Sequence, residues 1–169
     1  RGVGKTTFLL QYAKEKFGTD RSCLFINMNN FYFSGHSIVD FANEFQKRGG
    51  KVLLIDQVFK HPEWSKELRM CYDRYPNLKI VFTGSSVMRL KEENLELRDI
   101  AKSYNLRGFS FREFLNLQTG MKFRAYSLEE ILSTHEQIAK GVLSKVRPLD
   151  YFQDYLHHGL YTFFLEKRN

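Results

Sequence analysis

The segment Arg1–Thr7 reads RGVGKTT and is followed directly by the helix-like stretch FLLQYAKEKF. Its glycines, lysine and threonines match the second half of the phosphate-binding pattern G-x-x-x-x-G-K-[ST]. Glycines let consecutive backbone N–H groups turn toward an anion, and the start of the following helix adds its positive dipole end. The segment therefore predicts a phosphate-binding loop, made of Gly2, Val3, Gly4, Lys5, Thr6 and Thr7.

Two side chains of this loop have the chemistry that a nucleotide requires. Lys5 would reach the β- and γ-phosphates of ATP, and the Thr6 hydroxyl would ligate Mg²⁺. The alternative interpretation is a glycine turn before a helix with an incidental lysine, and the alternating pattern downstream favours the binding loop. The first glycine of the pattern and the strand that feeds the loop would precede Arg1. We therefore expect the first strand of the sheet to be missing from this chain.

The chain up to Ser86 alternates between segments with helical spacing and continuous apolar runs. Such apolar runs are typical of strands buried on both faces of a parallel sheet. This order predicts an α/β P-loop domain, a three-layer sandwich with a parallel sheet. The predicted helices are Thr6–Lys16, Ser37–Arg48 and Pro62–Pro76, and the predicted strands are Ser22–Asn29, Lys51–Asp56 and Leu78–Ser86.

The pattern changes after Leu90, and helical spacing then dominates. A short strand is expected near Lys102–Leu106, followed by three helices within GFSFREFLNL, SLEEILSTHEQIAKGVL and PLDYFQDYLHHG. We place a domain boundary near Gly108. Residues 1–107 would form the P-loop core, and residues 108–169 a small helical subdomain that is incomplete at its C-terminus.

Asp56 and Gln57 follow the buried run VLLI. A P-loop ATPase needs an acid at the end of a neighbouring strand to hold the Mg²⁺ shell, and Asp56 fits that role. The alternative is an aspartate that merely ends a strand in a turn. Many P-loop ATPases have a glutamate at the position of Gln57, where it polarises the attacking water. A glutamine can orient a water but cannot accept its proton, so Gln57 predicts firm ATP·Mg²⁺ binding and slow hydrolysis.

Further candidates follow the last predicted strand. Thr83 or Ser85 could contact the γ-phosphate or the attacking water, although the stretch TGSS could equally be a simple turn. Arginine stabilises the charge of a transferring phosphate. Arg98 is our choice among three arginines after this strand, and a solvated surface role is the alternative. The other two are Arg107 and Arg112.

Composition narrows the class of protein. The net charge of +7 suits a protein that handles nucleotides or nucleic acid, but the basic residues are dispersed, so direct nucleic-acid binding is a secondary idea. No apolar run has the length of a membrane span. Cys23 and Cys71 are typical of reduced thiols in a cytoplasmic protein.

Four stretches of this chain resemble the bacterial and archaeal AAA-type ATPases. In order they are GVGKTTFLLQYAKE, GGKVLLIDQVFKHPEWSKELRMCYDRYPNLKIVFTGSS, GFSFREFLNL and YLHHGLYTFFLE. That family pairs a P-loop core with a helical lid, often followed by a separate C-terminal domain. The resemblance implies an ASCE-type core, a helical lid after it, and ATP and Mg²⁺ as ligands. It also implies ATP hydrolysis with Lys5, Thr6 and Asp56 in the roles given above.

The chain departs from the family pattern around one site. Where the family reads L-D-E-V-H-K, the stretch Ile55–Lys60 reads IDQVFK, and where the family has a paired arginine, Leu97–Ile100 reads LRDI. These departures predict weakened hydrolysis and leave two functions open. One is a slow ATPase that uses Lys5, Asp56, Gln57 and Arg98. The other is a hydrolysis-deficient, nucleotide-gated module that engages a protein, a separate C-terminal domain or a nucleic acid.

Overall fold

The computed structural model describes residues 2–84 and 95–161, and these residues fall into two compact units. The first unit comprises Lys5–Tyr104. The second comprises the described residues from Asn105 onward, together with the short segment Gly2–Gly4. Each unit has its own buried side chains, which include Leu53 and Ile55 in the first and Phe114 in the second.

The first unit is built on a parallel sheet. Its described strands are β1 (Cys23–Asn27), β2 (Val52–Asp56) and β3 (Lys79–Phe82), paired in the order β1-β2-β3. Every residue of the central strand β2 is buried, as the apolar run VLLI predicts. The parallel α/β arrangement expected from the sequence is therefore confirmed for these strands.

Helices cover both faces of this sheet. Helix α1 (Lys5–Phe17) buries Leu9 against one set of alternate β2 side chains, Val52 and Leu54. Helices α2 (Ile38–Lys47) and α3 (Trp64–Arg74) pack with the other set, Leu53 and Ile55. Because successive strand residues point to opposite faces, the unit has three layers. Short 3₁₀ turns occupy Phe31–Ser34, Val58–Lys60 and Leu95–Leu97.

The carboxylate of Glu67, in α3, contacts both His61, which precedes α3, and the start of α2. His61 Nε2 lies 3.0 Å from Glu67 Oε1, and the two side chains are only 10% and 17% exposed. The other oxygen of Glu67 accepts a hydrogen bond from the backbone N of Ile38 at 2.5 Å. Ser37 caps the same helix end through the backbone N–H groups of Val39 and Asp40. Since a helix start leaves its first N–H groups without intrahelical partners, these bonds fix where α2 begins.

The regular secondary structure described in the second unit is helical. It contains α4 (Phe111–Thr119), α5 (Leu128–Leu143) and α6 (Leu149–Asp154), followed by a π turn at Tyr155–Gly159. Capping boxes begin two of these helices, Ser110 with Glu113 for α4 and Ser127 with Glu130 for α5. Four aromatic rings of this unit contact one another, and Phe114 is the buried one among Phe111, Phe114, Phe152 and Tyr155.

The short strand predicted near Lys102–Leu106 is wrong. This segment is irregular, and its large side chains are exposed, Tyr104 by 78% and Leu106 by 42%. A strand needs a paired neighbour and a buried face, and β3 is paired only with β2 among the described strands. No helix in residues 2–84 or 95–161 is long and apolar enough to cross a membrane.

Candidate functional site

A buried carboxylate lies at the carboxyl edge of the sheet. Asp56 ends β2 and is 1% exposed. Within the described residues its side chain accepts hydrogen bonds from three side chains. Oδ2 accepts from the Thr6 hydroxyl at 2.8 Å and from the Asn27 amide nitrogen at 3.0 Å. The Thr83 hydroxyl donates to Oδ1.

Each of these donors comes from a different element, and the fold explains why they meet. Thr6 lies in the first turn of α1. The register of β1 on β2 places Asn27 directly beside Asp56. Thr83 follows β3 and continues its ladder, because its backbone N donates to the carbonyl of Ile55 at 2.9 Å. The carboxyl ends of parallel strands share one edge, which is where open α/β sheets bind ligands.

Two glycines of the segment before α1 have a left-handed backbone. Gly2 and Gly4 have φ values of 82° and 88°, in the left-handed region that glycine adopts without steric cost. Helix α1 begins at Lys5, and no acidic residue lies in its first turn. The positive end of the helix dipole is therefore not neutralised from within that turn. This backbone and this charge suit an anion.

Gln57 is in a strained backbone conformation. With φ 56° and ψ 44°, it is the only non-glycine residue with positive φ in the described part of the chain. Its backbone N donates to the Thr83 hydroxyl at 3.2 Å, and the next backbone N, of Val58, donates to the Thr83 carbonyl at 2.9 Å. Thr83 thus makes hydrogen bonds both to the carboxylate of Asp56 and to the backbone of the two residues that follow it. Such left-handed residues cluster at functional sites.

Two other predicted residues, Arg98 and Ser85, are not described partners of this carboxylate. Arg98 is exposed on the turn after Leu97, and it is not among the described partners of Asp56. Its neighbour Asp99 is bound by Arg69 of α3 at 2.9 Å. Ser85 lies outside the described residues.

Asn27 is the residue of this site that the sequence interpretation missed. It lies near the end of the strand predicted at Ser22–Asn29, within the asparagine-rich run NMNN. A polar residue at the carboxyl end of a strand beside Asp56 was the available signal. Using it requires the register of β1 on β2, which brings Asn27 and not Asn29 opposite the acid.

The chemistry of these side chains fits Mg²⁺. A hydroxyl and a carboxylate are hard oxygen donors, the kind that magnesium prefers. Thr6 and Asp56 already touch through a 2.8 Å hydrogen bond, so one cation could be ligated by the hydroxyl with the carboxylate close to its shell. The hydroxyl and the carboxylate could therefore hold one divalent cation at the start of α1.

Comparison with known proteins gives one result at the level of the family. A family model described as an AAA domain matches residues 1–115. A comparison with curated proteins and one with solved structures found no match. The matched part includes the glycine loop, all three described strands and the carboxylate cluster. The resemblance noted in the sequence is thereby confirmed, and the chain belongs to the AAA domain family.

Proposed function

We propose that this chain binds ATP·Mg²⁺ through the loop Gly2–Thr7 and hydrolyses the ATP slowly. The observation that carries the proposal is the buried Asp56 carboxylate, held against the Thr6 hydroxyl at the start of α1. In P-loop NTPases a hydroxyl residue of the loop and a strand-ending aspartate hold the Mg²⁺. Membership of the AAA domain family supports the same function.

Each residue of the loop has a separate task in this proposal. The backbone at Gly2 and Gly4 binds phosphate oxygens, and Lys5 places its positive charge on the β- and γ-phosphates. The Thr6 hydroxyl ligates the cation, and Asp56 orders the cation's shell. Bound Mg²⁺ would neutralise the charge that develops on the phosphate oxygens during transfer.

Gln57 would position the attacking water but leave it without a base. Its side-chain amide can accept a hydrogen bond from water but not the proton, so turnover is slow. Thr83 already donates to Asp56 and accepts from the backbone of Gln57. These bonds favour a positioning role for Thr83 over contact with the γ-phosphate. Ser85 is the remaining candidate for that contact, and Arg98 for charge stabilisation.

The second candidate function is a nucleotide-gated binding module without turnover. It is favoured by the replacement of the usual glutamate and histidine with Gln57 and Phe59. In either case the helical unit after Asn105 would act as a lid whose closure reports the nucleotide. The partner would be a protein, a separate C-terminal domain or a nucleic acid.

The two functions differ in single-turnover hydrolysis. ATP affinity and phosphate release should be measured side by side on the full-length protein, with Lys5→Ala as the blank. We expect tight, Lys5-dependent binding with slow phosphate release. In the same assay, Gln57→Glu should raise the hydrolysis rate by about tenfold or more, because it restores a proton acceptor.

Each other outcome has a definite meaning. Tight binding with no release above the blank, unchanged by Gln57→Glu, would favour the nucleotide-gated module. Binding by the native protein no tighter than that of Lys5→Ala would overturn both functions.

A further inference from the structure

The side chain of Asn27 makes two hydrogen bonds of opposite kinds. Its amide nitrogen donates to Asp56 Oδ2 at 3.0 Å, and its oxygen accepts from the backbone N of Asn29 at 2.8 Å. The first bond crosses from β1 to β2, and the second closes a local turn. One amide therefore links the carboxylate of the site to the chain that leaves the strand.

The local turn decides which way this amide faces. A backbone N–H can only donate, so the atom of Asn27 that faces Asn29 must be the carbonyl oxygen. The NH₂ group is then left to face Asp56, whose carboxylate can only accept when it is ionised. The strand register places the two residues side by side, and the turn orients the donor.

The bond from Asn27 differs from the bond made by Thr6. In the proposed site the Thr6 oxygen also ligates the cation, whereas the Asn27 amide nitrogen donates without ligating it. Asn27 is then the donor to Oδ2 that is not itself a ligand, while Thr83 donates to Oδ1. Together these two donors fix the plane of the carboxylate. Partners of this kind around metal-binding groups orient them and tune the affinity for the metal.

We infer that Asn27 is a positioning residue for Mg²⁺·ATP, one that holds Asp56 in the orientation that the cation needs. This inference rests on the function proposed above. It adds a residue from β1, which the loop motif and the strand-ending acid do not include. It also gives the turn at Asn29 a role, because that turn orients the amide.

The test compares Asn27→Ala and Asn27→Val with Asn30→Ala in the full-length protein. Valine suits the end of a strand but cannot donate a hydrogen bond. Asn30 is the matched control, because its side chain accepts from the backbone N of Tyr32 at 3.0 Å in the next turn and is not a described partner of Asp56. Binding of mant-ATP, a fluorescent ATP analogue, is titrated with MgCl₂ and also measured in EDTA.

We expect both Asn27 variants to raise the half-saturating MgCl₂ concentration by about tenfold or more, the usual effect of losing such a partner. Their affinity for mant-ATP in EDTA should equal that of the native protein. Asn30→Ala should match the native protein in both measurements. A residue that only stabilises the fold would weaken binding equally with and without Mg²⁺.

The inference is overturned if the Asn27 variants keep the native MgCl₂ requirement, if they lose affinity equally in EDTA, or if both fail to fold by circular dichroism. Failure of the proposed function looks different. In that case the native protein binds mant-ATP no better than Lys5→Ala, whatever residue occupies position 27.

Discussion

Gln57 combines an unusual residue type with an unusual backbone. Its φ of 56° lies in the left-handed region, which costs a non-glycine residue about 1 kcal/mol relative to glycine. The fold tolerates this cost because Thr83 and the following turn fix the backbone at this point. A residue placed at such a cost beside the Asp56 carboxylate is consistent with a functional role for its side chain.

This strain predicts a difference between two variants that both remove the side chain. Gln57→Gly relieves the left-handed conformation, whereas Gln57→Ala keeps it. We therefore expect the free energy of unfolding of Gln57→Gly to exceed that of Gln57→Ala by about 1 kcal/mol in urea denaturation. Both variants should hydrolyse ATP more slowly than the native protein. Equal stability of the two would mean that the backbone at this position is not strained.

For single residues, the sequence identifies candidate site residues better than it predicts their contacts. The loop lysine and the strand-ending Asp56 can be identified because fixed spacings require them. The role of Asn27 and the left-handed backbone of Gln57 depend on how neighbouring strands align and turn. No pattern within one segment contains that information, so both became visible only in three dimensions.

Among the elements, α3 is joined to the start of α2 by the carboxylate of Glu67, which also contacts His61 just before α3. This carboxylate accepts from the backbone N of Ile38, one of the N–H groups that a helix start leaves unpaired. Removing the carboxylate would leave His61 and that N–H group buried without this partner. The cost of such a loss is larger than the gain from forming an exposed ion pair.

Glu67→Ala should accordingly lower the free energy of unfolding by about 2 kcal/mol, because it leaves buried polar groups without a hydrogen-bond partner. The control is Glu63→Ala in the same region, which removes an exposed partner of Lys66 at 3.4 Å and should cost no more than about 0.5 kcal/mol. Chemical denaturation of both variants measures the difference. Similar losses of unfolding free energy in the two variants would show that the Glu67 contacts contribute no more to stability than a surface ion pair does.

The sequence predicts a helix or strand reliably where the element buries one face, or all of its side chains, in the core. Val52–Asp56 is a continuous apolar run that ends in an acid, and it is a strand buried along its whole length. Lys102–Leu106 contains one β-favouring residue, Tyr104, but has no partner strand in the described chain, and it is irregular. Local preference cannot show whether a neighbouring strand is available.

On the scale of the whole molecule, Cys71 can report how the Lys5–Tyr104 unit opens. Its side chain is fully buried in the core next to α2, and burial raises the pKa of its thiol to about 12. At pH 8 the native thiol is therefore protonated and shielded, and the reactive species is the thiolate. Labelling of Cys71 requires opening of the unit.

In a Cys23→Ser background, labelling of Cys71 by Ellman's reagent at pH 8 should therefore be slow. Mg²⁺·ATP at a hundred times its Kd should slow it by about another 100-fold, because the nucleotide binds only the folded state. The same background with Lys5→Ala should show no slowing. A fast labelling rate that is the same with and without Mg²⁺·ATP would mean that Cys71 becomes accessible through local motion.

The alignment of β1 with β2 also constrains how this protein can change over evolution. One residue inserted between Cys23 and Asn27 would move the amide to the opposite face of the sheet and take it away from Asp56. Residues added near the exposed Phe31 would leave that alignment intact. Differences in length among relatives should therefore occur around the exposed Phe31, whereas the number of residues from Cys23 to Asn27 should stay constant.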